Sequence, residues 1–380
     1  MRHTFLILAF HLARSQELGY IHAGRFDHVV VIPDIHGDVE YLIESIALGA
    51  RMTNYPMMTK ERFEDLLVSQ ETAVDPQGDP SRTIIVQLGD VSSRGPGSKQ
   101  CFAVLFSLET TLGWKFLSLY GNHELMAFLG KDAPYVNSDE YEFFGGVEKR
   151  TTEFSSRGSL WREIYGKSHL VARIGGSSRS PVDTLFVHAG LEASWLSQIG
   201  LEFPGDITRL NSFAQRAFSH PVIADHIFSP LSSPLWTRQL ETESHSPVWC
   251  ESELAPMLEL FRVSRIIVGH CPLKSKRVQT RCDGRIILTD VKMSRWMVGG
   301  GQPVALVMTL RQGGGLESIK VHYIDPSDLS KESTEDIYTP PVAGPPALLR
   351  SKSMSERVFF EPPRIYRKCL SCPASPKGKH

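Results

Sequence analysis

Five times in this chain a short apolar run breaks off into a small polar string built from Asp, His, Asn and Gly. That repetition constrains the fold more than any other feature. The runs are His28 to Ile32, Thr83 to Leu88, Lys115 to Leu119, Thr184 to Val187 and Arg265 to Val268, with a sixth apolar run at Arg285 to Leu288. They are rich in Val, Ile and Leu and lack clean alternation with polar residues, the pattern of strands buried on both faces. Helical stretches follow several of them, at Val39 to Ala50, Ser98 to Thr111, Glu124 to Leu129 and Ser252 to Phe261. Strands alternating with helices specify an α/β layer fold. In such folds ligands collect at the carboxyl ends of strands, where these polar strings stand.

Each string has a chemistry and an ordinary alternative. In Asp34-x-His36-Gly37 a carboxylate and an imidazole two residues apart on a turn can reach one divalent cation, while Gly37 lets the backbone bend beneath it. Gly89-Asp90 offers a carboxylate able to bridge two metals, and Arg94, four residues on, can clamp a phosphate through paired hydrogen bonds. Asn122 offers a neutral oxygen, and His123 an acid able to protonate a leaving oxygen near neutral pH. His188 and His270 each end an apolar run. Singly, these residues read equally well as helix caps, surface charges or structural histidines. Their common placement and order make independent origins implausible.

In that order the chain resembles the calcineurin-like metallophosphoesterases, and within them the PPP-type protein phosphatases, through Asp34-x-His36-Gly37, Gly89-Asp90-x-x-x-Arg94-Gly95 and Gly121-Asn122-His123-Glu124. The likeness runs from about Val29 to Asp290. Pro234-Leu235-Trp236-Thr237-Arg238, Val268-Gly269-His270 and Asp290-Val291-Lys292-Met293-Ser294 are similar to the Shewanella-like branch. The resemblance implies a four-layer α/β/β/α sandwich, with Arg51 to Arg82 and Lys131 to Pro181 as insertions over the catalytic face. It also implies two divalent metal ions (Mn, Fe or Zn): Asp34 and His36 on one, Asn122, His188 and His270 on the other, and Asp90 shared. A hydroxide held between them would attack phosphorus in line, Arg94 and Arg238 would hold the phosphate oxygens, and His123 would act as general acid.

The activity so implied is phosphomonoester hydrolysis on a phosphoprotein or phosphopeptide. A phosphodiesterase, a dinucleotide polyphosphate hydrolase and a non-catalytic metal-binding scaffold are the alternatives. The sequence departs from the family at Ser93, where Asp is usual and pairs with the catalytic histidine. A serine hydroxyl can orient the His123 imidazole but cannot supply charge, so the imidazolium should be harder to form and aryl phosphates favoured. Pro33 and Ala189 are smaller departures that remove no ligand. Cys271, next to His270, reads as a packing residue or a redox-sensitive thiol.

Composition sets the outer bounds. The chain has 380 residues, and its 41 Lys plus Arg balance 42 Asp plus Glu, which leaves no bulk field for nucleic acid or an anionic membrane. Past the first residues no apolar run is long enough to span a bilayer. Residues 1–15 carry a basic start, an apolar stretch from Phe5 to Ala13 and the small-x-small Ala13-Arg14-Ser15, the look of a secretory signal. The expected location is therefore the secretory pathway if the signal operates, and the cytoplasm otherwise. The catalytic domain is expected over 26–324, closed by an antiparallel pair around Gln312-Gly313-Gly314-Gly315, with a Pro-rich flexible tail over 325–380. Arg357-Val358-Phe359-Phe360 fits the R-V-x-F docking pattern of phosphatase regulators, but such short patterns arise often by chance and no regulatory partner is expected there. The six cysteines look too scattered for a disulfide scaffold, and Cys369 and Cys372 alone are too few for a structural zinc site.

Overall fold

The computed structural model describes residues 19–175, 183–200, 206–311 and 315–338. Two sheets share one hydrophobic core. The seven-stranded sheet runs in the order β13-β12-β11-β2-β3-β4-β5, with β2 at His28–Ile32, β3 at Thr83–Gln87, β4 at Lys115–Leu119, β5 at Ser168–His169, β11 at Val304–Arg311, β12 at Gly315–Asp325 and β13 at Asp328–Tyr338. The six-stranded sheet runs β1-β6-β7-β8-β10-β9, with β1 at Tyr20–His22, β6 at Val171–Gly175, β7 at Thr184–Val187, β8 at Arg265–Val268, β9 at Gln279–Arg281 and β10 at Ile286–Leu288. Two sheets with accompanying helices are what the metallophosphoesterase sandwich requires.

The centre of each sheet is parallel: β2 with β3 and β3 with β4 in the larger sheet, β7 with β8 and β8 with β10 in the smaller. Parallel strands direct their carboxyl ends the same way, so all six end on the side where the polar strings lie. The helix Val39–Arg51 begins where the buried Asp38 carboxylate accepts the Tyr41 amide, an N-cap that also turns the chain away from β2. Gly49 lets this helix lie directly on the sheet, because a Cβ there would stand 2.8 Å from the Val30 side chain.

Three expectations need correction. The globular part is wider than 26–324: β1 pairs with β6 ahead of it, and β13 pairs antiparallel with β12 beyond it, so the tail does not start at 325. In β13 the sequence Asp-Leu-Ser-Lys-Glu-Ser-Thr-Glu-Asp-Ile-Tyr is charged because it forms the sheet edge, where exposed charge discourages further pairing. An apolar signature was therefore never available to mark it. The Lys131 to Pro181 interval is not wholly an insertion, since β5 and β6 lie within it. Scattered cysteines also conceal a bond: Cys250 and Cys282, 32 residues apart, form a disulfide that ties a helical turn to the β9–β10 hairpin. The amino-terminal signal, the 312–314 turn, the R-V-x-F string and the Cys369/Cys372 pair lie outside the described residues.

Candidate active site

Six strand ends deliver one cluster. Asp34 and His36 follow β2, Asp90 follows β3, Asn122 and His123 follow β4, His188 follows β7, His270 follows β8 and Asp290 follows β10. All eight side chains are buried. The Asp90 carboxylate sits at the centre, with His188 Nε2 3.4 Å from Oδ1, His36 Nε2 3.8 Å from Oδ2 and His123 Nε2 3.9 Å from Oδ2. Asn122 Oδ1 is 3.0 Å from both His188 Nε2 and His270 Nδ1. Both Asp34 oxygens face the His270 amide, the nearer at 3.0 Å.

Ring protons follow from the outer nitrogens. A carbonyl can only accept, so His36 Nδ1 donates to Ser92 at 3.3 Å, His188 Nδ1 to Leu88 at 2.9 Å and His270 Nε2 to Trp236 at 3.2 Å. In those tautomers the three inward nitrogens carry lone pairs: those of His188 and His270 face the Asn122 oxygen with no proton between them, and those of His36 and His188 face the Asp90 carboxyl. An outer N–H fixed on a backbone carbonyl is the usual support of a metal-ligating histidine. This nitrogen and oxygen donor set fits divalent cations such as Mn, Fe or Zn. His36, Asp90 and His123 lie close enough to hold an ion, as do Asp90, His188 and His270. His123 differs from the other histidines, because its buried Nδ1 has no hydrogen-bond partner among the described residues.

The electrostatics carry the same message. Burial, then the charges of Asp290 and Asp90, push the Asp34 carboxyl well above the usual range. Burial pushes Asp90 up to about 8 and Asp290 up to about 6. It holds His36 down to about 3, His188 to about 4 and His270 to about 2, with His123 also well below its ordinary value. Several carboxylates that cannot comfortably ionise beside imidazoles that will not protonate form a site lacking positive charge.

The backbone around the cluster is strained and closely packed. His36, Asp90, Ser93, Arg94 and His270 all have positive φ, between 49° and 68°, a conformation costly for non-glycine residues. Gly121 and Gly269 leave no room for a side chain: a Cβ would fall on the carboxylates of Asp90 and Asp34 respectively. Glu124 holds the Asp90 loop, accepting from the Asp90, Ser92 and Gly121 amides and from the Ser92 hydroxyl at 2.7–3.0 Å. Its place at the end of Gly-Asn-His-Glu was visible in the sequence, but its role as a clip was not. Asp290 likewise had no function legible in the sequence; its Oδ2 is buried beside the cluster with no hydrogen-bond partner among the described residues.

Ser93 does not orient His123 as expected. Its hydroxyl lies 3.4 Å from Asp132 Oδ2, and its amide donates to Ser98. Asp132 is in turn paired with buried Arg150 at 2.7 Å, and Arg150 also meets Glu140 at 3.0 Å. The interval after 131 thus holds the Arg94 loop from outside, and the Arg94 amide donates to the Tyr135 carbonyl at 2.7 Å. The Arg94 guanidinium lies 5.4 Å from the centre of the Tyr135 ring, which itself packs edge-on against His123. Arg238 approaches from the His270 side, 3.9 Å from Cys271 Sγ. Burial pushes the Cys271 thiol up to about 12, so it stays protonated, as a packing residue would.

Residues 28–272 match the family model for calcineurin-like phosphoesterases. The chain belongs to that family. This phosphoesterase is therefore a hydrolase with candidate metal-ligating residues at its strand ends. Among solved structures it is similar to the cold-active protein-tyrosine phosphatase of a psychrophilic Shewanella species, at 18% identity and a TM-score of 0.54, over 80% of this chain and 83% of that one. A 1.1 Å structure of a cold-active protein tyrosine phosphatase gives 17% identity and a TM-score of 0.53, over 83% and 84%. At such identities the likeness shows the fold alone. No curated protein matches the chain.

Proposed function

We propose that this phosphoesterase is a metal-dependent phosphomonoesterase acting on phosphoproteins. Asp34 and His36 would hold one divalent cation, Asn122, His188 and His270 a second, and Asp90 would contact both. The observation that carries this reading is the convergence of inward lone pairs on Asn122 Oδ1 and the Asp90 carboxylate, with each outer ring nitrogen fixed on a backbone carbonyl. When bound, such a metal pair supplies positive charge to phosphoryl oxygens and makes water acidic enough to attack at neutral pH. Arg94 and Arg238 would neutralise the non-bridging oxygens as charge redistributes. Two guanidiniums suit a monoester better than a diester, which offers one oxygen fewer.

His123 would protonate the departing oxygen, but burial disfavours its charged form and Ser93 gives it no anionic partner. Leaving groups that need little protonation should then do best, which supports phosphotyrosine over phosphoserine. The likeness to cold-active protein-tyrosine phosphatases fits that preference. The Cys250–Cys282 bridge supports work in an oxidising compartment, as a secretory amino terminus would provide. The test is to reconstitute the protein with Mn, Fe or Zn and compare p-nitrophenyl phosphate with its bis(p-nitrophenyl) diester. Preferred monoester turnover that disappears on chelation is expected. Preferred diester turnover, or a folded protein that takes up no divalent ion, would overturn the reading.

A further inference from the structure

Beside the cluster lies a cleft of about 350 Å³, within the range of roughly 300–1,000 Å³ that small-ligand sites occupy. Its floor is the backbone that also carries the active-site loops. The Gly95 amide donates to the His36 carbonyl at 2.9 Å, and Gly97 to the Gly37 carbonyl at 3.0 Å. Gly37 and Gly95 therefore line up back to back, one residue beyond His36 and one beyond Arg94 respectively, and a Cβ on either would collide with the opposite backbone. Trp296 lies over Gly95, with its Cδ1 at 2.6 Å from where a Gly95 Cβ would be. The cleft lining thus begins at Gly37, one residue past His36 in the chain, and at Pro96, two past Arg94.

Its walls are unusual for a surface. Trp296 is 44% exposed and Phe143 52% exposed, and both line the same opening. The charged lining is Asp38, Glu40, Asp139 and Arg295, three acids to one base. Arg295 is already committed, to Asp38 at 2.8 Å and Glu40 at 2.6 Å. Asp139 is exposed and makes no ion pair among the described residues. Gln100, also in the lining, has a buried Oε1 with no hydrogen-bond partner among the described residues. The cleft therefore offers two exposed aromatic side chains, a carboxylate that accepts from the Ser138 hydroxyl at 3.2 Å but meets no cation among the described residues, and a spare acceptor, while its one cation is spoken for.

We propose that this cleft is a subsite for a basic side chain, arginine or lysine, of the substrate polypeptide, flanking the phosphorylated residue. A cation on an aromatic face with a carboxylate beside it satisfies every feature of the lining. Gly37 and Pro96 tie the lining to the loops of His36 and Arg94, so a polypeptide bound at the clamp runs over the same loops that wall the cleft. The inference rests on the phosphomonoesterase reading and adds a specificity to it.

The experiment uses metal-loaded full chain and three phosphotyrosyl peptides that differ only in carrying Arg, Ala or Glu at the two flanking positions. The Arg peptide should exceed the Glu peptide in kcat/KM by roughly tenfold. Asp139→Arg should erase that difference, and Phe143→Ala should shrink it, with p-nitrophenyl phosphate turnover unchanged in both. Indifference to flanking charge, or an equal loss on peptide and p-nitrophenyl phosphate, would overturn the subsite. If wild type hydrolyses none of these esters, the phosphatase reading fails, and the cleft is judged by fluorescence anisotropy of the labelled Arg and Glu peptides. Binding that favours Arg and is weakened by Asp139→Arg upholds the cleft, and equal binding rejects it.

Discussion

Four histidines crowd one carboxylate, and the group on the outer ring nitrogen separates their roles. His36, His188 and His270 each have that nitrogen fixed on a backbone carbonyl, whereas His123 does not. His188→Ala should therefore lower the bound metal per protein, and His123→Ala should leave it near wild type. Loss of a general acid typically costs about 10²–10⁴ in rate. His123→Ala should approach the upper figure on alkyl phosphates and fall well short of it on aryl phosphates. Metal analysis beside turnover of both ester classes checks this, and equal losses on the two would remove His123 from the acid role. Because the Ser93 hydroxyl faces Asp132 and not His123, Ser93→Asp should set two carboxylates against each other and leave the ratio of alkyl to aryl turnover unchanged; a raised ratio would show that residue 93 does reach His123. At this scale the sequence was most informative, since ligands at strand ends need only a short local pattern. Asp290 and Asp132 escaped because their significance lies in what they face across the fold.

Among the elements, parallel strands were legible because burial on both faces leaves an unbroken apolar run, as in Val29-Val30-Val31-Ile32. Edge strands were not, and neither was the buried group Asp132, Arg150 and Glu140, whose partners come from a polar interval with no distinguishing pattern. Removing one member of a buried ion group strands the others, at a cost of about 3–5 kcal/mol. Arg150→Ala should lower the urea midpoint accordingly and also raise KM for phosphate esters, because the same group steadies the loop of Arg94. A midpoint shift with unchanged KM would confine Arg150 to stability. The Cys250–Cys282 bridge closes a loop of 32 residues, for which chain entropy gives about 3–4 kcal/mol. A Cys250→Ser, Cys282→Ser double variant should lose that stability in denaturant titration, and wild type should lose it in reductant. If neither moves the midpoint, the bridge does not support an oxidising compartment.

For the whole molecule, the strained loops and buried charges mean that the fold without metal is held together against its own active site. Carboxyls raised by burial keep a proton that the unfolded chain has already lost, so they draw stability down as pH climbs from about 4 through the values near 6 for Asp290 and 8 for Asp90. The depressed histidines act oppositely, because the unfolded chain binds protons that the fold refuses. Their effect raises stability with pH and fades as pH passes the unfolded histidine value of 6.5. From about one unit above that value the carboxyls act alone, and the metal-free protein should lose stability toward pH 8. Cations among these groups would hold the carboxylates ionised and cancel the loss, while adding about 2.7 kcal/mol at a hundredfold excess over Kd. The gap in Tm between Mn-loaded and chelated protein should therefore widen from pH 6.5 to 8. A gap that stays constant across that range would mean that these carboxylates are not what the metal engages.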